Sequence, residues 1–92
     1  MVNAIVLIKA ARPTINELSR KLLEIKGIAE VYSVAGAWDL VAMLRAKDNE
    51  QLADIVTSHM VKLEGIQETQ TLVAFRAYSR FDLDEMFNIG LE

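Results

Sequence analysis

Hydrophobic positions along the chain change period from every second residue to every third or fourth and back, and the cycle runs twice. Residues 2–9 are apolar at nearly every position, with Val2, Ala4, Val6 and Ile8 on one side and Ile5 and Leu7 on the other. A strand patterned in this way is buried on both faces. Ile15, Leu18, Leu22 and Ile25 then recur at helical steps. The amphipathic helix they predict opens at Pro13, where a missing N–H costs nothing, and stops at Gly27, which takes the left-handed conformation at least cost. Residues 28–35 return to alternation, with Ile28, Glu30, Tyr32 and Val34 against Ala29, Val31, Ser33 and Ala35. Gly36-Ala37 turns the chain into a third strand over residues 38–45, where Trp38, Leu40, Ala42 and Leu44 oppose Asp39, Val41, Met43 and Arg45.

Asp48 or Asn49 can cap a second helix, whose stripe is Leu52, Ile55, Val56, His59 and Leu63 with Met60 alongside. Gly65 ends it as Gly27 ended the first. Residues 66–77 predict a long fourth strand, Thr69, Thr71, Val73 and Phe75 against Glu68, Gln70, Leu72, Ala74 and Arg76. The copies also match as text: Leu63-Glu64-Gly65-Ile66-Gln67-Glu68 echoes Ile25-Lys26-Gly27-Ile28-Ala29-Glu30. Two such units joined by a tight turn give an α+β, ferredoxin-like βαββαβ fold: a four-stranded antiparallel sheet with both helices on one side. This domain is expected to occupy residues 1–78. Residues 79–92 depart from the repeat: Asp82-Leu83-Asp84-Glu85 has capping-box character, and Phe81, Leu83, Met86, Phe87 and Ile89 are apolar. They predict a short C-terminal helix packing at a subunit interface.

Composition sharpens the question of what covers the other side of the sheet. A 92-residue domain buries only roughly 60 to 65% of its unfolded surface, yet 52% of these residues are hydrophobic. That surplus reads as subunit interface. Two copies of the sheet packed face to face at roughly 10 Å would make a two-fold dimeric α+β barrel with a shared core, and no stable folded monomer is expected at micromolar concentration. The formal charge is −3, and the basic residues are scattered. Direct nucleic-acid binding needs a basic face that neutralises phosphates, so it is not expected. No apolar run approaches the ~20 residues that span a bilayer, the start Met1-Val2-Asn3 does not look like a secretory leader, and there is no cysteine. A cytoplasmic protein without membrane contact is expected.

Candidate chemistry is sparse. The single histidine, His59, lies on the second helical stripe and reads as a structural residue half-buried at an interface or a polar contact near a ligand. One imidazole without partners at ligand spacing does not hold a metal, and no glycine-rich run precedes Lys and Ser/Thr as a phosphate loop would require. No enzyme activity and no cofactor are therefore expected. Gly36-Ala37-Trp38-Asp39 sets an aromatic ring and a carboxylate side by side next to flexible backbone. It can be a hairpin turn in which Asp39 accepts backbone N–H bonds and Trp38 fills the core, or a small pocket in which loop amides meet a carboxylate and Asp39 meets an ammonium. Thr69 and Thr71 could add hydroxyls to such a pocket or be ordinary strand threonines.

The strand ending Val34-Ala35-Gly36, then Ala37-Trp38-Asp39-Leu40, and later Leu63-Glu64-Gly65-Ile66-Gln67-Glu68-Thr69-Gln70-Thr71, resembles the effector-binding (RAM) domain of the Lrp/AsnC, or feast/famine, transcriptional regulators. The similarity covers about residues 2–77. It implies a dimeric α+β barrel, further assembly into a ring, often an octamer, and amino-acid binding between dimers. Carried over by motif, the amides near Gly36 and Ala37 would hold an α-carboxylate, Trp38 would border the site, Asp39 would meet the α-ammonium or hold the turn, and Thr69 and Thr71 would add polar contacts. Family regulators place a helix-turn-helix before this domain, whereas the first strand here starts at Val2. The resemblance then implies a stand-alone RAM protein that modulates transcription through partners, co-assembling with or competing for full-length relatives. Two rivals share the βαββαβ plan: a cofactor-independent monooxygenase-like dimeric barrel, which would need an enclosed polar cavity holding His59 or Tyr32, and an ACT-like regulatory domain.

Overall fold

A computed structural model of the chain describes residues 1–78 and 80. The repeat folds as β1 (Val2–Ala10), α1 (Ile15–Glu24), β2 (Ile28–Ser33), β3 (Leu40–Ala46), α2 (Asn49–Asp54) and β4 (Ile66–Ala74). A 3-10 turn, Arg12–Thr14, carries Pro13 into α1, and α2 runs on through a π turn, Ile55–His59, and a 3-10 turn, Met60–Lys62. The strands form one sheet in the order β2-β3-β1-β4, with every neighbouring pair antiparallel. This is the ferredoxin-like α+β architecture that the two-fold pattern predicts. The expected C-terminal helix at a subunit interface lies outside the described residues.

Side-chain alternation puts Ala4, Val6, Ile8 and Ala10 of β1 and Leu40, Ala42, Leu44 and Ala46 of β3 under the helices, where all are buried. Leu18 and Leu22 of α1 and Leu52, Ile55 and Met60 of the second helical segment close over them. Each helix is stopped by a glycine with φ near +100°, and each glycine touches the other half of the repeat. A Cβ on Gly27 would lie 2.5 Å from Ile55 Cδ1, and one on Gly65 would lie 2.6 Å from Thr14 Oγ1. Glycine is needed at both positions for conformation and for space.

Four expectations need correction. The stripe that included His59 is re-phased: Met60 N–H bonds to Ile55 O, five residues back. This π turn inserts a residue into the helical count, so Met60 enters the core at 1% exposure and His59 points outward. Alternation in β2 is broken by a bulge between Ile28 and Glu30. Ile28 opposes Leu44 in the core, whereas Glu30 and Tyr32 oppose Met43 and Val41 on the other face; the extra residue flips the side-chain parity. The third strand begins at Leu40 and not at Trp38: Leu40 is its first residue paired with both β1 and β2, and Asp39 belongs to the turn, where its carboxylate accepts from Ala10 N–H. The fourth strand ends at Ala74 and not at Ala77, because its partner β1 runs out: Ala74 opposes Asn3.

No described element covers the second face of the sheet. Its side chains form rows. Met43, Ile5 and Leu72 stand opposite one another in one row, with Glu30 beside Met43; Tyr32, Val41, Leu7 and Gln70 form the next. The result is an apolar band whose largest members, Tyr32 at 48% and Leu72 at 43%, keep much of their surface exposed.

Candidate functional site

The connection from β2 to β3 lies at the Ala10 end of the sheet and is held by one residue. Asp39 N–H donates to Ile8 O at 2.9 Å, Asp39 O accepts from Val34 N–H at 3.0 Å, and Asp39 Oδ2 accepts from Ala10 N–H at 2.9 Å. The carboxylate thereby satisfies a backbone donor 29 residues away in sequence. With both ends of the turn tied down, Gly36 takes φ +133° in open space, a conformation that only glycine adopts readily. Among the described residues the amides of Gly36, Ala37 and Trp38 make no hydrogen bond within the chain, and Gly36 and Ala37 are exposed.

Trp38 does not fill the core. It is partly buried, with Lys9 Nζ 5.6 Å from its ring centroid, within the range of a cation–π contact. Lys9 also reaches Glu68 Oε2 on β4 at 3.8 Å. Lys9 therefore links the turn to the fourth strand across β1. Neither Lys9, Glu68 nor the Ala10 N–H was singled out from the sequence; the available signal was a lone cation closing an otherwise apolar strand.

Thr69 and Thr71 oppose Ile8 and Val6, so both lie on the helix-side face of β4. Neither helix packs extensively over β4, leaving Thr69 partly buried and Thr71 exposed. Ile8 is flanked by Leu40 on one side and Thr69 on the other. The turn and Thr69 are thus brought to the same end of the sheet, separated by two strand spacings, roughly 10 Å. Within one chain they do not close a pocket.

The titratable residues elsewhere are dispersed. His59 Nε2 lies 3.4 Å from Asp54 Oδ2 on the outer helical surface; the π turn is what aligns residues five apart. Both border an open groove of about 670 Å³ between the helices, far from the turn and rimmed by charges such as Lys21, Glu24 and Lys62. Tyr32 is on the opposite side of the sheet, where its hydroxyl donates to Glu30 Oε2 at 2.6 Å, and this bond to the Glu30 charge raises its pKa above the usual phenol value. His59 thus borders an open groove on the helix side, and Tyr32 stands half-exposed on the other face of the sheet. Among the described residues no group of three His, Cys, Asp or Glu could hold a metal ion, and no helix is long and apolar enough to cross a membrane.

The profile of the Lrp/AsnC ligand binding domain matches residues 3–83 of this chain. The chain belongs to the Lrp/AsnC family. Among solved structures, this Lrp/AsnC domain superposes on TTHA0845 from Thermus thermophilus with a TM-score of 0.81 and 48% identity, covering 87% of this chain and 100% of that one. An uncharacterized HTH-type transcriptional regulator of Pyrococcus horikoshii is 36% identical over 62 residues, which is 67% of this chain and 41% of that protein. The chain thus spans less than half the length of the regulators it matches. A feast or famine regulatory protein of M. tuberculosis, complexed with L-methionine, shares the fold at TM-score 0.72 and 22% identity over 87% of this chain and 54% of that one.

Proposed function

We propose that this Lrp/AsnC ligand-binding domain is a non-enzymatic, cytoplasmic amino-acid sensor whose output is assembly. The observation that carries the reading is the turn at residues 36–39, which offers three unengaged amides beside a carboxylate already fixed in place. Unengaged backbone N–H groups in a turn suit a carboxylate, and the remaining oxygen of Asp39 suits an ammonium, so the pair matches the two charged ends of an α-amino acid. Gly36, Ala37, Trp38 and Asp39 form one wall of the site, and Thr69 and Thr71 supply hydroxyls from a neighbouring molecule. The methionine complex of the M. tuberculosis relative supports the ligand class.

The open sheet face pairs with that of a second copy to give a dimeric barrel, and dimers join into a ring, an octamer in the fullest form, with the tail at residues 79–92 adding to the contacts. A ligand seated between dimers stabilises whichever assembly contains the complete site. Partners of the Lrp/AsnC type that carry DNA-binding helices would convert this shift into transcriptional control.

Native mass spectrometry and thermal melts across the individual amino acids test the proposal. At roughly 100 times its Kd a ligand adds about 2.7 kcal/mol, which for a domain of this size raises Tm by on the order of 10 °C. Asp39→Ala should abolish that rise. Asp39→Asn keeps an acceptor for Ala10 N–H but removes the charge, so loss of binding with an unchanged unliganded Tm assigns Asp39 to the ammonium. A full panel without any shift in Tm or in the ring-to-dimer ratio rejects the sensor.

A further inference from the structure

The net negative charge of the chain is concentrated at its C-terminus. Residues 81–92 carry four of the thirteen acidic residues, Asp82, Asp84, Glu85 and Glu92, and none of the ten basic ones. Among these charges stand Leu83, Met86 and Phe87, at the three- and four-residue steps of one helical face. An acidic segment with an apolar stripe fits a groove that is apolar inside and positive along its rim. Most of the segment lies beyond residues 3–83, the part that matches the family, so its docking surface is not inherited with the fold.

The groove of about 670 Å³ between the helices has that composition. Ile25 and Leu63, both half-buried, and the buried Ile55 supply its apolar lining. Three of the chain's five lysines, Lys21, Lys26 and Lys62, stand around it. Lys21 is paired with Glu17 at 3.4 Å, whereas among the described residues Lys26 and Lys62 have no ion-pair partner. Glu24 and Asp54 offset part of this charge, and Asp54 is itself engaged by His59; the balance stays positive. Face-to-face pairing of the sheets leaves this groove open, because it lies on the helix side. Past β4 the chain moves off its own domain: Phe75 is 100% exposed and Tyr78 75%. Two large apolar side chains held clear of their own fold direct the tail outward.

We propose that the groove between α1 and the second helical segment receives residues 81–92 of a neighbouring subunit. The apolar stripe of that tail lies against Ile25, Ile55 and Leu63, and its carboxylates meet Lys26 and Lys62. Burial of the stripe supplies the affinity, and the exposed ion pairs, each worth little alone, set register and choice of partner. The proposal rests on the assembly reading above, which supplies the neighbour, and it names where one subunit holds the next.

Because the chain has no cysteine, introduced thiols report this contact alone. Glu24→Cys at the groove and Asn88→Cys in the tail, each in the full chain, are mixed, allowed to exchange subunits and air-oxidised. The mixed disulfide forms in at least tenfold higher yield than when Asn16→Cys, at the opposite end of α1, replaces Glu24→Cys. Adding Lys26→Glu and Lys62→Glu to the groove copy lowers the yield at least threefold. No enrichment over Asn16→Cys, or a yield untouched by the charge reversal, overturns the proposal. So does a chain carrying both thiols that closes an internal disulfide when diluted in excess wild type, since the tail would then serve its own subunit. Sedimentation of the wild type separates the two claims: an assembly whose variants form no mixed disulfide rejects the groove contact alone, and a monomer rejects the assembly beneath it.

Discussion

The two faces of the sheet are built from the same strands and solve opposite problems. On the helix side, Val6, Ile8, Leu22, Leu40 and Ala42 have no exposed surface, and the residues that meet there are aliphatic throughout. On the other side an apolar band, Ile5, Leu7, Val41, Met43 and Leu72, is framed by charged groups at each end, Arg45 and Arg76 at one and Lys9 and Glu68 at the other. A core excludes every charge because nothing in it can turn toward water. An apolar centre with a polar rim is the composition common to surfaces that meet another protein, and the proposed dimer would use this face as its contact.

Leu7→Lys gives the largest effect if that contrast is right. A charge in the centre of the open face should disperse the proposed assembly, so sedimentation reports a 10.3 kDa species that has lost its cooperative melt at micromolar concentration; an unaltered dimer breaks the comparison. Leu40→Ala on the helix side should cost about 2–5 kcal/mol in chemical denaturation, a large share of the roughly 5–15 kcal/mol that stabilises a domain. Gly27→Ala should follow at about 2 kcal/mol, because a side chain there is strained at φ +104° and meets Ile55 Cδ1. Asp48 Oδ1 accepts from Gln51 N–H at 2.8 Å and caps α2, so Asp48→Ala should cost about 1 kcal/mol. The smallest effect belongs to Tyr32. Its pKa is raised above the ordinary value near 10 by the hydrogen bond and charge of Glu30, so whatever stability the pair contributes is present below that ordinary value and lost as pH rises through the folded one. Ultraviolet titration should show one tyrosine ionising late, and Glu30→Gln should bring it back toward 10.

Most of the fold was legible because it depends on local periodicity. The alternation of β1 and β3, the stripe of α1, the Asp48 cap and the two glycine stops each follow from a few consecutive residues. Of the candidate site, the turn itself could be read from Gly36 and Asp39, but the bond from Ala10 N–H to Asp39 Oδ2 could not, since it joins residues 29 apart. The same holds for the role of Lys9, which touches Trp38 and Glu68 only because β1 lies between the two outer segments.

The sequence by itself determined which residues are strand or helix and which side of β1, β3 and α1 is apolar, because those properties repeat at a fixed local period. Only the tertiary structure decided where the period slips. The bulge after Ile28 and the π turn at Ile55–His59 each add a single residue. In β2 this turns Glu30 and Tyr32 to the open face, and in the second helix it exchanges His59 for Met60 in the core. Such slips are set by what must fit against Leu44 and beneath the helices. Packing across the sheet is a property of residues distant in the chain.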